Sequence, residues 1–141
     1  MFNKILAGSN QVQIFGTSVG GYLFKWGTVD NNNIEWLQST NYGIGWYGHY
    51  PILFSHGQNE DMGIEKIGTI YVVKASNDGL LVSGLLDPEN EWYEAICALQ
   101  EKGSLIWSAA PAQHLCRSEN GAWISYPIVE FSVRLVDNST P

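Results

Sequence analysis

Ser108 is the residue of this sequence best placed for nucleophilic chemistry. It follows the apolar residues 105–107 and precedes two small residues, Ala109 and Ala110. A strand that runs into a tight turn of small residues can present a serine oxygen and leave backbone N–H groups free beside it. This is the minimal geometry of a nucleophile with an oxyanion hole. We therefore expect Ser108 to act as a nucleophile, with oxyanion donors from the backbone of Ala109 and Ala110.

A base and an orienting carboxylate stand elsewhere in the chain. His56 ends an apolar stretch and precedes a polar segment, so its imidazole should be half exposed and able to accept a proton near neutral pH. Glu130 lies between Val129 and Phe131, and a carboxylate buried there needs a partner such as an imidazole N–H. Taken alone, an incidental loop histidine and a structural serine are the more common interpretations, and a solvated glutamate is as consistent with the sequence as a paired one. Taken together, the three residues predict a charge-relay site.

The remaining polar candidates are weaker. His49 lies in an aromatic segment and should pack among rings, whereas His114 is either structural or close to a substrate. Arg117 and Arg134 are candidates to hold a water at an oxyanion, and the sequence does not separate that role from surface solvation. The histidines and carboxylates show no metal-ligand spacing, so we expect no metal site.

The composition limits the class of protein. A chain of 141 residues is long enough for one domain with a sizeable core, so we expect a single domain over residues 1–141. Abundant aromatic residues, many glycines and short runs of Val, Ile and Leu favour a β-rich fold. The net charge of −7 and the lack of a basic stripe argue against nucleic-acid binding.

Cysteine usage and hydropathy bear on the compartment. Cys97, in a predicted helix, and Cys116, in a predicted strand, should be buried free thiols, which suits a reducing environment. Residues 1–7 are too short an apolar run for a signal peptide. No other run reaches the ~18 residues needed to span a bilayer. These features predict a soluble, cytoplasmic protein with no membrane contact.

Short apolar segments bounded by turn residues must position the candidate site. Residues 18–21 should link the first two strands, residues 28–48 should form a long functional or covering loop, and residues 77–79 (Asn-Asp-Gly) are a strong hairpin signal. Strands are predicted over residues 11–17, 22–26, 52–55, 63–76, 80–86, 105–108, 113–117, 122–126 and 128–136. The strand over 52–55 should deliver His56 at its end, and residues 137–141 should leave the domain.

One helix is predicted between the hairpin and the Ser108 strand. Asp87 can cap its start, Pro88 suits the first helical position and Gly103 suits the residue after its end. Its apolar face recurs at helical spacing and should pack on the sheet: Trp92, Ala95, Ile96 and Leu99. The chain is therefore predicted to be mainly β, with one principal α-helix.

Several segments, taken in order, resemble a known family. They are PILFSHG at 51–57, IGTI at 67–70, GLLVSGLL at 79–86, GSLIWSAA at 103–110, QHLCR at 113–117 and YPIVEFSVRL at 126–135. The chain resembles the prohead (capsid maturation) proteases of tailed phages, serine peptidases that share the herpesvirus assemblin fold. The resemblance spans roughly Val12 to the C-terminus and is most specific in the last third. It implies a closed, mostly antiparallel β-barrel of about six or seven strands.

Carried over by residue, the resemblance gives His56 as general base, Ser108 as nucleophile and Glu130 as the acidic third member. Assemblins have a second histidine in the third position, and an acid is the usual phage version. Ala109 and Ala110 stand where the family commonly has Ser and Gly, and residues 136–140 depart from the family's ending.

The function implied is that of a serine endopeptidase acting on phage scaffold protein, on the capsid precursor and on itself during prohead maturation. It would work without a cofactor, in the host cytoplasm within the procapsid, and the dimerisation of assemblins leaves a homodimer open. The first alternative is a catalytically inactive structural or scaffold-binding assembly protein with the same fold. The second is a carbohydrate or peptide binder that uses exposed aromatic side chains: Trp26, Trp36, Trp46 and Tyr47.

Overall fold

The computed structural model describes residues 10–136 and contains, within that range, nine strands and one α-helix. The strands are β1 Gln13–Phe15, β2 Ser18–Lys25, β3 Tyr50–Phe54, β4 Gly68–Ala75, β5 Gly79–Leu86, β6 Leu105–Pro111, β7 Arg117–Glu119, β8 Ala122–Ser125 and β9 Ile128–Leu135, and the helix is α1 Tyr93–Glu101. The mainly β prediction with one helix is confirmed. The predictions for residues 1–7 and 137–141 lie outside the described residues.

Seven strands form one curled sheet in the order β1-β2-β5-β4-β3-β9-β6, and β7 and β8 form a separate pair. All neighbours in the large sheet are antiparallel except β3 and β9, which are parallel. The predicted closed antiparallel barrel is wrong, because the sheet is a half-barrel whose edge strands β1 and β6 do not pair.

The segment before β1 takes the place of that missing pairing. The Val12 N–H donates to the Leu105 carbonyl oxygen at 3.0 Å, and the Trp107 N–H donates to the Asn10 carbonyl oxygen at 2.7 Å. The first half of β6 is therefore covered by the incoming chain. Among residues 10–136, no strand other than β9 pairs with its second half, which carries the predicted site.

The β4–β5 hairpin confirms the strongest local turn signal. The Ser76 hydroxyl donates to the Gly79 carbonyl oxygen and accepts the Asp78 and Gly79 N–H groups, so the turn satisfies its own polar groups. Strand β4 begins at Gly68, later than the predicted residue 63.

Residues 18–21 were predicted to be a link, and the structure places them in β2. The turn lies earlier in the chain, between Phe15 and Ser18, and includes Gly16, whose φ of +63° suits glycine. Gly20 and Gly21 are needed inside the strand because other backbone comes close. A Cβ at Gly20 would lie 2.8 Å from the Val82 carbonyl oxygen, and one at Gly21 would lie 2.9 Å from that of Gln11.

Helix α1 begins at Tyr93, not at Pro88 as predicted. The Asp87 carboxylate accepts the Glu89 N–H and the Asn90 amide oxygen accepts the Trp92 N–H, so two successive side-chain turns occupy the backbone before the helix starts. The C-terminal end agrees with the prediction, since Gly103 has a φ of +70°.

The core is one cluster of buried side chains, to which the sheet, α1 and the long loop of residues 28–48 all contribute. Ile96 is buried, Trp92 and Leu99 pack against the core, and Ala95 is exposed. Within residues 10–136, no helix is both long enough and apolar enough to cross a membrane. The largest fully buried side chains include Trp107, Phe131, Ile52, Ile70, Leu80 and Leu105.

The long loop fixes its aromatic residues in different ways. Trp36 stacks on Phe24 with ring centroids 4.3 Å apart, and both Trp26 and Trp36 pack against the core. These two tryptophans are therefore not the exposed binding residues that the sequence allowed, whereas Trp46 and Tyr47 are about half exposed.

The cysteine predictions hold only in part. Cys97 lies in α1 and Cys116 follows a 3-10 turn at Gln113–Leu115, where a strand was predicted. Both are free thiols, but they are half buried.

Candidate active site

The register between β6 and β9 puts two of the predicted site residues on one face of the sheet. Ser108 is opposite Ser132 and Ala110 is opposite Glu130, so the side chains of Ser108, Ser132 and Glu130 share a face. The intervening Phe131 points into the core and is fully buried. The alternation along β9 therefore anchors the strand on one side and presents polar groups on the other.

His56 reaches this face through a left-handed turn. Strand β3 runs parallel to β9 with Leu53 opposite Ser132, and the chain then turns through Ser55, His56 and Gly57 with φ values of 50°, 56° and 78°. A left-handed backbone costs about 1–2 kcal/mol for a residue with a Cβ. Strain of this kind at non-glycine residues is typical of functional positions.

The three predicted residues meet in one hydrogen-bonded chain. The His56 Nδ1 lies 2.7 Å from Glu130 Oε2, and the His56 Nε2 lies 2.8 Å from Ser108 Oγ. Because the carboxylate can only accept, Nδ1 carries the proton and Nε2 is free to accept the Ser108 hydroxyl proton. The side chains of His56 and Glu130 are 26% and 23% exposed, so the pair is sheltered yet open to a ligand.

Ser132, on β9, belongs to the same hydrogen-bond network. Its hydroxyl accepts the backbone N–H of His56 at 2.9 Å and donates to Glu130 Oε2 at 3.0 Å. This residue is fully buried. The sequence analysis missed it, although a serine two positions after Glu130 in a strand shares its face.

Ala109 and Ala110 do not form the predicted turn but continue β6. The Trp107 N–H points away from β9, towards Asn10, and alternate residues of an antiparallel strand point the same way. The Ala109 N–H therefore faces away from β9, beside Ser108, whereas the Ala110 N–H faces β9. Of the two predicted oxyanion donors, this geometry leaves the Ala109 N–H directed outwards.

A cleft of about 400 Å³ adjoins Ser108, which is within the usual range for ligand sites. Its walls come from β2, β6, β9, the long loop, Tyr126 and the segment before β1: Asn10, Leu23, Phe24, Thr28, Val29, Asp30, Asn31, Trp36, Trp107, Ser108, Ala109, Tyr126 and Arg134. Burial raises the pKa of Tyr126 to about 12, with smaller contributions from Cys116 and Asp30, so its phenol stays protonated at neutral pH. Of these loop residues the sequence singled out only Trp36, as a candidate binding aromatic, because the approach of the loop to Ser108 depends on the tertiary fold.

The remaining candidates fall in different places. His49 packs on the Tyr71 ring with centroids 4.8 Å apart, as expected for an aromatic contact. Arg134 lies beside Ser108 along the cleft, whereas His114 and Arg117 line a separate pocket. In the part of the chain that the structure describes, no three His, Cys, Asp or Glu side chains come together as a metal site would require.

Comparison of the chain with protein-family models, curated proteins and solved structures gave no match.

Proposed function

We propose that this protein is a serine endopeptidase in which Ser108, His56 and Glu130 form the catalytic triad. One observation carries the proposal: the His56 ring lies between the Ser108 hydroxyl and the Glu130 carboxylate, within hydrogen-bond distance of both. In a nucleophile-base-acid arrangement, each group orients or activates the next. Both ring nitrogens of His56 have a hydrogen-bond partner at the same time. This arrangement requires a defined ring orientation, which the proximity of three polar residues alone would not require.

The geometry supports a two-stage acyl transfer. Ser108 Oγ would attack the peptide carbonyl carbon while His56 Nε2 takes its proton, and Glu130 would stabilise the imidazolium that forms. The imidazolium would then return the proton to the leaving amine as the C–N bond breaks. A water, activated by the same histidine, would hydrolyse the acyl-enzyme and release Ser108.

Backbone and cleft supply the remaining requirements of this chemistry. The Ala109 N–H, which faces away from β9, would donate to the oxyanion, a contribution worth roughly 3–4 kcal/mol where a single donor has been removed in other enzymes. The cleft beside Ser108 would hold the substrate residues next to the scissile bond. No cofactor takes part in the proposed reaction.

The substrates follow from the resemblance of the sequence to the prohead proteases of tailed phages. We propose phage scaffold and capsid precursor proteins as substrates, with cleavage of the chain itself, inside the procapsid in the host cytoplasm. The same resemblance makes a homodimer the assembly state to test. The half-barrel sheet with one helix supports this assignment only in its coarse architecture.

Co-expression with a capsid precursor tests the proposal. Ser108→Ala should abolish processing while the far-ultraviolet circular dichroism spectrum stays unchanged. Ser83→Ala, which alters an exposed serine in β5, should process as the wild type does. Normal processing by a folded Ser108→Ala variant would rule out the assigned nucleophile.

A further inference from the structure

We propose that Ser132 is a positioning residue of the triad, acting through both His56 and Glu130. This inference rests on the proposed function, because it assigns a role within the same reaction. Ser132 would not touch the substrate. Its hydroxyl would fix the carboxylate and the turn that carries the imidazole.

The first argument concerns the carboxylate. Glu130 Oε2 accepts two hydrogen bonds, one from His56 Nδ1 at 2.7 Å and one from Ser132 Oγ at 3.0 Å. A carboxyl group held by a single donor can rotate about its terminal bond, whereas a second donor, placed on β9 rather than in the turn after β3, restricts that rotation. Because hydrogen bonds to charged groups are stronger than neutral ones, Ser132 is expected to restrict Glu130 considerably.

The second argument concerns the backbone of the histidine. His56 has a φ of 56°, a conformation that costs free energy, and its N–H donates to Ser132 Oγ at 2.9 Å. The Ser132 hydroxyl thus accepts the backbone N–H of His56, the residue whose ring must be oriented towards both Ser108 and Glu130. Without that acceptor, the strained turn would lose a contact that keeps the imidazole over β9.

The third argument concerns the hydroxyl itself. Ser132 is fully buried, so its single proton and its acceptor lone pairs are both used inside the protein. The proton goes to Glu130, and a lone pair accepts from His56. No other side chain named in this network contacts both the base and the acid.

The test measures how fast a fluorophosphonate probe labels the purified full chain. Ser132→Ala should slow labelling about 10- to 100-fold, as expected for the loss of a hydrogen bond to a charged group. Ser132→Thr keeps the hydroxyl and should restore most of the rate. Ser76→Ala is the matched control, because it removes a hydroxyl with three hydrogen bonds at the β4–β5 turn, and it should label normally.

A double-mutant cycle separates positioning from a general loss of structure. If Ser132 acts through the acid, Ser132→Ala should slow labelling less than about threefold in a Glu130→Gln background, because contacting residues are not additive. Equal slowing in both backgrounds would overturn the role of Ser132 through Glu130, and wild-type labelling by a folded Ser132→Ala protein would overturn the proposal as a whole. Should that variant not fold, Ser132→Cys, which keeps the size and a weak donor, should label at an intermediate rate, and a wild-type rate would overturn the proposal.

A spectroscopic measurement distinguishes failure of this inference from failure of the proposed function. The downfield proton resonance of His56 Nδ1–H should shift or broaden in Ser132→Ala and persist in Ser132→Thr. This readout requires no enzymatic activity. If the wild-type chain does not label at all, the proposed function fails, while an unchanged resonance in Ser132→Ala would specifically overturn the positioning role.

Discussion

The β4–β5 hairpin and the β3–β9–β6 layer, meaning the three neighbouring strands that carry the candidate site, are both held by backbone hydrogen bonds between strands. They differ in the length of chain that joins the paired strands. Three residues separate β4 from β5, and pairing follows directly from the turn. In the layer, by contrast, Ile52 pairs with Phe131, far along the chain. The three predicted triad residues all lie on or next to the strands of the layer, and none lies on the hairpin.

The difference shows how a sheet can separate stability from chemistry. The hairpin carries glycines where backbones approach closely, so its sequence is constrained by packing. The layer places buried or half-buried polar groups on the face opposite Phe131 and holds them by hydrogen bonds. Changes in the hairpin should therefore alter stability, and changes in the layer should alter reactivity.

The largest effect is expected from Glu130→Gln in the layer. The amide preserves the shape but favours the wrong histidine tautomer, and comparable changes in other triads reduce turnover about 10⁴-fold. The rate of probe labelling measures this effect. Glu119→Gln on the exposed strand β7 is the control and should label as the wild type does. Normal labelling by Glu130→Gln would remove Glu130 from the triad.

The opposite behaviour is expected from Gly84→Ala in the hairpin. A Cβ at this position would overlap the Thr69 carbonyl oxygen, so strand β4 or β5 must shift. We expect a loss of about 1–3 kcal/mol in the free energy of unfolding, measured by urea denaturation. Labelling per folded molecule should stay unchanged. Gly48→Ala, where a Cβ meets no atom within 4 Å, should leave both quantities unaltered.

Ser55 lies in the turn that carries His56, so a substitution there should affect both stability and reactivity. Its φ of 50° is tolerated by asparagine but poorly by a β-branched residue. Ser55→Val should lower the free energy of unfolding by about 1–2 kcal/mol and slow labelling, since the turn carries His56. Ser55→Asn should match the wild type in both measurements. If valine and asparagine behave alike, the left-handed turn does not constrain the site.

The smallest effect concerns alkaline stability. The folded protein raises the pKa of Tyr126 from 10.0 to about 12 by burial, so folding favours the protonated phenol. This contribution is complete below pH 10 and is lost as the pH rises towards 12. Tyr126→Phe should flatten the decline of the melting temperature over this range. Tyr71→Phe, on the exposed face of β4, should leave the decline unchanged.

Local features could be predicted from the sequence, and long-range ones could not. The hairpin at residues 77–79 and the end of the helix at Gly103 depend on neighbouring residues, and both were predicted correctly. The helix start was misplaced because Asp87 and Asn90 bind the preceding backbone. Likewise, Gly20 was predicted to lie in a link between strands. Its place in β2 follows from the close approach of the Val82 carbonyl oxygen, which belongs to a strand distant in sequence.

The candidate site shows the same limit. Residue types suggested Ser108, His56 and Glu130, and the resemblance to a family ordered them, but their contact depends on the parallel pairing of β3 with β9. The position of Ser132 beside the site could have been predicted from the sequence, since it shares a strand face with Glu130. The approach of the long loop to Ser108 could not be predicted, because no periodicity relates residues 28–36 to β6.

Labelling of the purified protein by a fluorophosphonate probe tests the central claim, that Ser108 is activated by His56 and Glu130. We expect the wild type to form a stable adduct that mass spectrometry locates on Ser108, and we expect His56→Ala and Ser108→Ala to form none. The absence of an adduct on the folded wild type, or an adduct that persists in Ser108→Ala, would contradict the account.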